Sequence, residues 1–191
     1  METLILNGLK KEDNASHMVY EVLKNELEVL GYNVTSVILY DTEVADCLGC
    51  FDCWARTPGI CIRDDLGRDI ARMTVQSDIL VLLTPVVFGG YSSELKKALD
   101  RLIPIISPFF RKYKGETHHK ARYEKYPRFI GVGILPQYDE EKEKIFKTLV
   151  KRNSLNFFSP VYSTGIIISS EGTEKIREEI KKILFEAGMG N

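Results

Sequence analysis

The chain has 191 residues, 44% of them apolar and 28% charged, an ordinary composition with enough length for a sizeable core. Its 26 basic and 27 acidic side chains leave a formal net charge of −1, which excludes a broad basic field for nucleic acid. No apolar run reaches the roughly 18 residues that a membrane span needs, and METLILNGLKKEDN lacks a basic region ahead of its short apolar run, so it reads as a first strand rather than a signal peptide.

Residues 3–6, TLIL, form that strand, which ends at Asn7-Gly8. A polar loop leads to a helix for which Asn14 is the predicted cap, with Val19, Val22, Leu23, Leu27 and Leu30 on one face and a stop at Gly31. In an open parallel sheet, such a strand-to-helix loop points amides and the positive helix end at an anion. His17 needs no special role there. Residues 34–40 are rich in β-branched side chains and read as the second strand.

Beyond the cysteine segment, Asp64 or Asp65 caps a helix through Ile70, Ala71 and Met73, which leads by Ser77-Asp78 into ILVLL at 79–83. A continuous apolar run without alternation is what a parallel strand covered on both faces looks like, so it is expected at the sheet's centre. Pro85 stops it near Thr84, and Gly89-Gly90 let backbone approach a ligand closely. Ser92 or Ser93 then caps a helix with Leu95, Ala98, Leu99, Leu102 and Ile103 on one face, ended by Pro104. Glu94, Lys96, Lys97, Asp100 and Arg101 are assigned to its polar face. Residues 107–127 read as a long polar and aromatic connection, of the kind that covers a site or meets another subunit, and the His118-His119 pair belongs to it. A strand at 128–135, a helix at 139–153, a fifth strand near 161–169 and a last helix with Ile176, Ile180, Ile183 and Leu184 on one face complete the chain.

Five strands alternating with helices make one doubly wound α/β domain over residues 1–191, with a cysteine-rich loop at 41–63 and an insertion at about 104–127. A sheet order of 2-1-3-4-5 would bring the loops after strands one and three together at the switch point, where ligands bind.

Cys47, Cys50, Cys53 and Cys61 are the chain's four cysteines and follow C-x2-C-x2-C-x7-C. A cytoplasmic setting is the expectation, and there such a run points to metal or redox chemistry before structural disulfides. Tight C-x2-C-x2-C turns let three thiolates face one cubane cluster, with Cys61 as the fourth ligand after the Thr57-Pro58-Gly59 turn. Zinc also suits four thiolates, although its usual spacings pair cysteines two and two. A loop of reduced thiols without metal and a disulfide-based sensor stay open beside these.

Pro85-Val86-Val87-Phe88-Gly89, then Ser92, Leu95-Lys96 and Asp100-Arg101, resemble the P-x-x-x-G…S…LK…DR signature of the flavodoxin-like NAD(P)H-dependent FMN reductases. The resemblance implies a flavodoxin-like three-layer sandwich in which Pro85, Val86, Val87, Phe88 and Gly89 lie along the flavin. That family's first loop is close to G-S-x-R-x-x-x-N-T and holds the FMN phosphate. Gly8, Lys10, Asn14 and Ala15 are set in the places of its serine, arginine, asparagine and threonine, with Ser16 one step beyond. Two hydroxyls are thus lost, and lysine replaces arginine. The cysteine run resembles the compact motif of the iron-sulfur flavoprotein branch, which implies a [4Fe-4S] cluster on Cys47, Cys50, Cys53 and Cys61.

The implied activity is electron transfer from NAD(P)H through FMN to a quinone, a flavin or a redox partner, in a homodimer or homotetramer. The flavin performs the chemistry, so no catalytic side chain is assigned. No G-x-G-x-x-G follows the first strand, so the nicotinamide is expected over the flavin rather than in a Rossmann site of its own. A non-enzymatic flavin electron carrier and a cofactor-free binding module are the rival readings.

Overall fold

The computed structural model describes residues 1–113 and 115–190. Its elements in chain order are β1 (Glu2–Asn7), α1 (Asn14–Val29), β2 (Asn33–Ile38), α2 (Asp52–Ala55), α3 (Leu66–Gln76), β3 (Ile79–Pro85) and α4 (Ser93–Asp100). They continue with β4 (Ile106–Tyr113), β5 (Glu116–Ala121), β6 (Arg128–Leu135), α5 (Glu140–Asn156), β7 (Tyr162–Ile168) and α6 (Thr173–Glu186). Five strands pair in parallel in the order β2-β1-β3-β6-β7. Counting the parallel strands alone, that order runs 2-1-3-4-5.

β3 lies at the centre because every residue from Ile79 to Leu83 has an apolar layer to enter, and all five are at 0% exposure. Ile79, Val81 and Leu83 face the core shared with Val19 and Leu23 of α1 and Ile180 of α6. Leu80 and Leu82 face Ile70 of α3, Leu95 of α4 and Phe146 of α5. One strand therefore feeds both layers of the sandwich, which is why no polar residue interrupts it.

Three expectations need correction. The connection at 107–127 contains a two-stranded antiparallel hairpin, β4 with β5. Pro108 hides the first strand from a sequence reading, and it is tolerated because the register shifts between Ile106 and Phe110. The first helix is capped by Asp13, not Asn14: Asp13 Oδ1 accepts from the Ser16 amide at 3.1 Å. Arg101 is not on a solvated face; it is 1% exposed.

Candidate functional site

Parallel pairing aligns the carboxyl ends of β1, β3 and β6 on one rim. The Gly8 amide donates to the Leu83 carbonyl at 2.8 Å, and the Val86 amide to the Ile134 carbonyl at 2.9 Å. A Cβ on Gly8 would lie 2.6 Å from Ser92 Oγ and 2.9 Å from Leu95 Cβ. The start of α4 therefore packs directly on Gly8, and the two loops selected from the sequence adjoin.

Leu9 turns inward and joins the core under α1. Lys10, Asn14 and Ala15 are exposed, and Lys11 stands 3.9 Å from Asp41. Asn14 and Ala15 open α1, where amides lack an intrahelical acceptor. Ser16 is buried, and both its amide and its hydroxyl are taken by the Asp13 carboxylate, at 3.1 and 2.5 Å. The Asn7 side chain accepts from the Leu9 amide through Oδ1, while its buried Nδ2 has no partner among the described residues.

The loop after β3 is held by its main chain. Val87 and Gly90 exchange both backbone hydrogen bonds, at 3.0 and 2.8 Å, and close a turn over Phe88 (φ 50°) and Gly89 (φ 80°). Two left-handed central residues make the type I′ pattern, which suits glycine and is rare for phenylalanine. Phe88 is 93% exposed, so no burial offsets its backbone cost. The base is rigid: Thr84 Oγ1 accepts from the Ser92 amide, Ser92 Oγ caps α4 at Leu95, and Asn153 Nδ2 donates to the Tyr91 hydroxyl. Pro85 is half-buried and Val86 buried beneath the turn, with Val87 46% exposed beside it. A strained side chain held in solvent on a rigid base is a feature of ligand sites.

Cys47, Cys50, Cys53 and Cys61 line one pocket together with Leu48, Phe51 and Arg101. Cys53 is buried on α2 and Cys61 partly so, while Cys47 and Cys50 are exposed. Burial pushes the Cys53 thiol up to about 11, and the neighbouring Cys61, Cys47 and Cys50 add to it. Among the described residues, no three Cys, His, Asp or Glu side chains are grouped closely enough to hold a metal ion as they stand. The donor set nonetheless fits an iron-sulfur cluster in chemistry: four thiols share one pocket whose walls are largely apolar, with one buried cation against it.

That cation is Arg101, which the sequence reading misplaced. Its Nη1 and Nη2 grip the two oxygens of Asp65 at 2.7 and 2.6 Å, Nη1 also reaches the Ala45 carbonyl at 2.7 Å, and Nη2 lies 3.4 Å from Cys61 Sγ. Gly67 makes room for it, since a Cβ there would lie 2.8 Å from the guanidinium carbon. Burial is the largest influence on Arg101 and opposes its charge, but the hydrogen bonds it donates to Asp65 and the attraction of Cys61 and Asp65 together raise its pKa, while Arg101 holds the Asp65 carboxyl below its usual range. Trp54 is the second tether: Nε1 donates to the Ile103 and Ile106 carbonyls, at 3.2 and 3.1 Å. Its ring stacks on Phe51 and meets His119, which in turn meets Phe110.

The two histidines do different things. His119 joins this aromatic row, whereas His118 is buried between Glu116 (Nε2, 2.8 Å) and Asn156 (Nδ1, 3.1 Å) and fastens the hairpin to α5. Arg152, and after it His118, lower the Glu116 carboxyl to about 2. Of the groups the sequence reading missed, Arg101 carried a signal in the DR pair, whereas Asp13 and Asn14 are both good caps and residue type does not choose between them. Trp54, as the chain's single tryptophan, carried none about its acceptors.

An open parallel sheet in the order β2-β1-β3-β6-β7, with the loops after its first and third strands side by side, defines the doubly wound α/β class. The sequence model of the NADPH-dependent FMN reductase family matches residues 1–122, and the chain belongs to that family. Among curated proteins it is 33% identical over 100 residues to an iron-sulfur flavoprotein of Archaeoglobus fulgidus, covering 52% of this chain and 44% of that protein. It is 34% identical over 107 residues to one of Methanocaldococcus jannaschii, covering 55% and 53%. The matches thus span about half the length of these relatives. Among solved structures, an FMN-dependent NADH-azoreductase of Bacillus anthracis in complex with FMN aligns with TM-score 0.66 at 14% identity over 98% of each chain. An NAD(P)H:quinone oxidoreductase of Methanothermobacter marburgensis aligns with TM-score 0.66 at 12% identity over 98% and 94%. At these identities the likeness is one of fold, a flavodoxin-like α/β sheet. Among the described residues, no helix is long and apolar enough to cross a membrane.

Proposed function

We propose that the chain is an FMN-dependent oxidoreductase that takes electrons from NAD(P)H and delivers them to a quinone, a flavin or a redox partner. The observation that carries this reading is the rigid left-handed turn at Phe88-Gly89 beside the loop after β1, on a rim the family uses for flavin. The orphaned Asn7 Nδ2 at that rim fits a bound acceptor such as a ribityl or ring oxygen. When bound, FMN supplies hydride acceptance and onward electron delivery. Backbone groups of Pro85, Val86, Val87, Phe88 and Gly89 orient the ring, and the Phe88 side chain shields it from water.

For the phosphate loop, the packing on Gly8 supports a register one residue later than the sequence reading. Gly8 then stands for the motif's glycine, and Leu9, Lys11, Ala15 and Ser16 fall in the places of its serine, arginine, asparagine and threonine. Of these, Lys11, together with the first amides of α1 at Asn14 and Ala15 and the nearby Lys10, is left to meet a phosphate, since Asp13 takes both donors of Ser16.

Cys47, Cys50, Cys53 and Cys61 would hold a [4Fe-4S] cluster, which supplies one-electron transfer when bound. The branch names of the relatives and the shared pocket support it. A second reading, an electron carrier serving a protein partner, is favoured by one observation. The row Phe51, Trp54, His119, Phe110 leads from the cysteine pocket to a surface where Phe110 is 60% exposed. Exposed Phe88, Phe109 and Phe110 support assembly as a homodimer or homotetramer, and four free thiols a cytoplasmic setting, for one flavin-binding domain.

The test is a visible spectrum with iron and sulfide analysis on protein purified without oxygen and offered FMN. A flavin spectrum with broad added absorbance and about four irons per chain is expected. Flavin without iron returns the cysteines to thiol roles, steady NAD(P)H oxidation separates enzyme from carrier, and no flavin at all overturns the reading.

A further inference from the structure

We propose that Asp13 is the residue that sets how the flavin site treats the 5′-phosphate, and that it makes the chain discriminate only weakly between FMN and riboflavin. The inference rests on the flavin reading above. A phosphate at the start of a helix is held by free amides and hydroxyls in the first turn. Here that place is filled from within. Asp13 takes the Ser16 amide at 3.1 Å and the Ser16 hydroxyl at 2.5 Å, the two donors that the buried Ser16 has to offer.

The motif's other hydroxyl positions do not replace them, which leaves the phosphate only exposed groups, Lys10, Lys11 and Asn14, and the first amides of α1. Leu9 is in the core, Ala15 has no polar atom, and Gly8 cannot carry a hydroxyl because Ser92 and Leu95 fill the space. Lys11 leans toward Asp41 at 3.9 Å, and both groups are more than half exposed, so its attraction for an anion is screened by solvent and shared. The dianionic phosphate would therefore approach a fixed carboxylate at the cap of α1, where like charges repel and both Ser16 donors are already engaged. The ring and ribityl portion meets the β3 loop instead, which Asp13 does not touch. Affinity should come from that portion.

The experiment compares FMN and riboflavin binding to the wild-type chain and to Asp13→Asn, by quenching of flavin fluorescence at low and moderate salt. Asparagine caps a helix as well as aspartate does, so the variant keeps α1 and removes only the charge. The wild type should bind the two flavins within about tenfold of each other. Asp13→Asn should tighten FMN on the order of tenfold and leave riboflavin unchanged, with the gain reduced by salt. Asp13→Ser should behave likewise and guards against an effect peculiar to asparagine. Wild-type preference for FMN by more than a hundredfold, or no gain for FMN in either variant, overturns the inference while leaving the flavin reading intact. Failure of all three proteins to bind either flavin overturns that reading and this inference with it.

Discussion

The turn after β3 and the cysteine segment are held by opposite means. The turn takes its shape from main-chain hydrogen bonds between Val87 and Gly90 and from strand pairing beneath it, and its most prominent side chain touches almost nothing. The cysteine segment has one turn of helix and depends on two side chains from outside and within, Arg101 and Trp54. Where the backbone holds the shape, side chains are free to serve a ligand. Where side chains hold it, one substitution decides whether the pocket exists.

The sharpest way to break this contrast is Arg101→Met. It leaves the Asp65 carboxylate and the Ala45 carbonyl without their partner, and removing one member of a buried pair costs about 3 kcal/mol or more. Urea unfolding should register that loss, and Arg101→Lys should recover only part of it because an ammonium lacks the planar fork that serves both Asp65 oxygens and the Ala45 carbonyl at once. A change below about 1 kcal/mol would mean that the segment is held by something else. The turn should respond in the other direction. Phe88→Gly removes a left-handed side chain that buries nothing, so the fold should gain about 1 kcal/mol. Flavin affinity should fall at the same time, and a variant that is less stable than wild type would refute the strained-turn description.

The smallest expected effect lies in the hairpin, which meets the cysteine segment through His119 and Trp54. The folded pKa of Glu116 is depressed to about 2 by Arg152 and His118. Its contribution to stability is therefore fully present above the unfolded carboxyl's value near 4.5 and is lost as pH falls from there through about 2. Melting temperature against pH should show a slope in that window, and Glu116→Gln should flatten it. An unchanged slope would place the acid sensitivity elsewhere.

The sheet was legible because its signals are local. ILVLL at 79–83 has no polar residue since both faces of β3 are covered, and Gly31 and Ser92 mark helix ends by chemistry that acts within a turn. The hairpin was not legible, because Pro108 and the register shift erase the alternation that announces a strand. Asn14 was a reasonable cap by residue type, but choosing between adjacent Asp13 and Asn14 depends on backbone angles that composition does not carry.

Arg101 shows the limit most clearly. At the end of a helix that carries Glu94, Lys96, Lys97 and Asp100 it reads as a solvated charge, and only the fold brings Asp65, 36 residues away, to meet it. The sequence by itself determined the doubly wound sheet, the family, the loop after β3 and the cysteine spacing, since each is written in neighbouring residues. The tertiary structure alone decided that Gly8 is a packing residue, that Asp13 takes the donors of Ser16, and that a buried arginine stands against Cys61. Those facts depend on free energies between groups distant in the chain, where burial makes a pairing obligatory that exposure would leave optional.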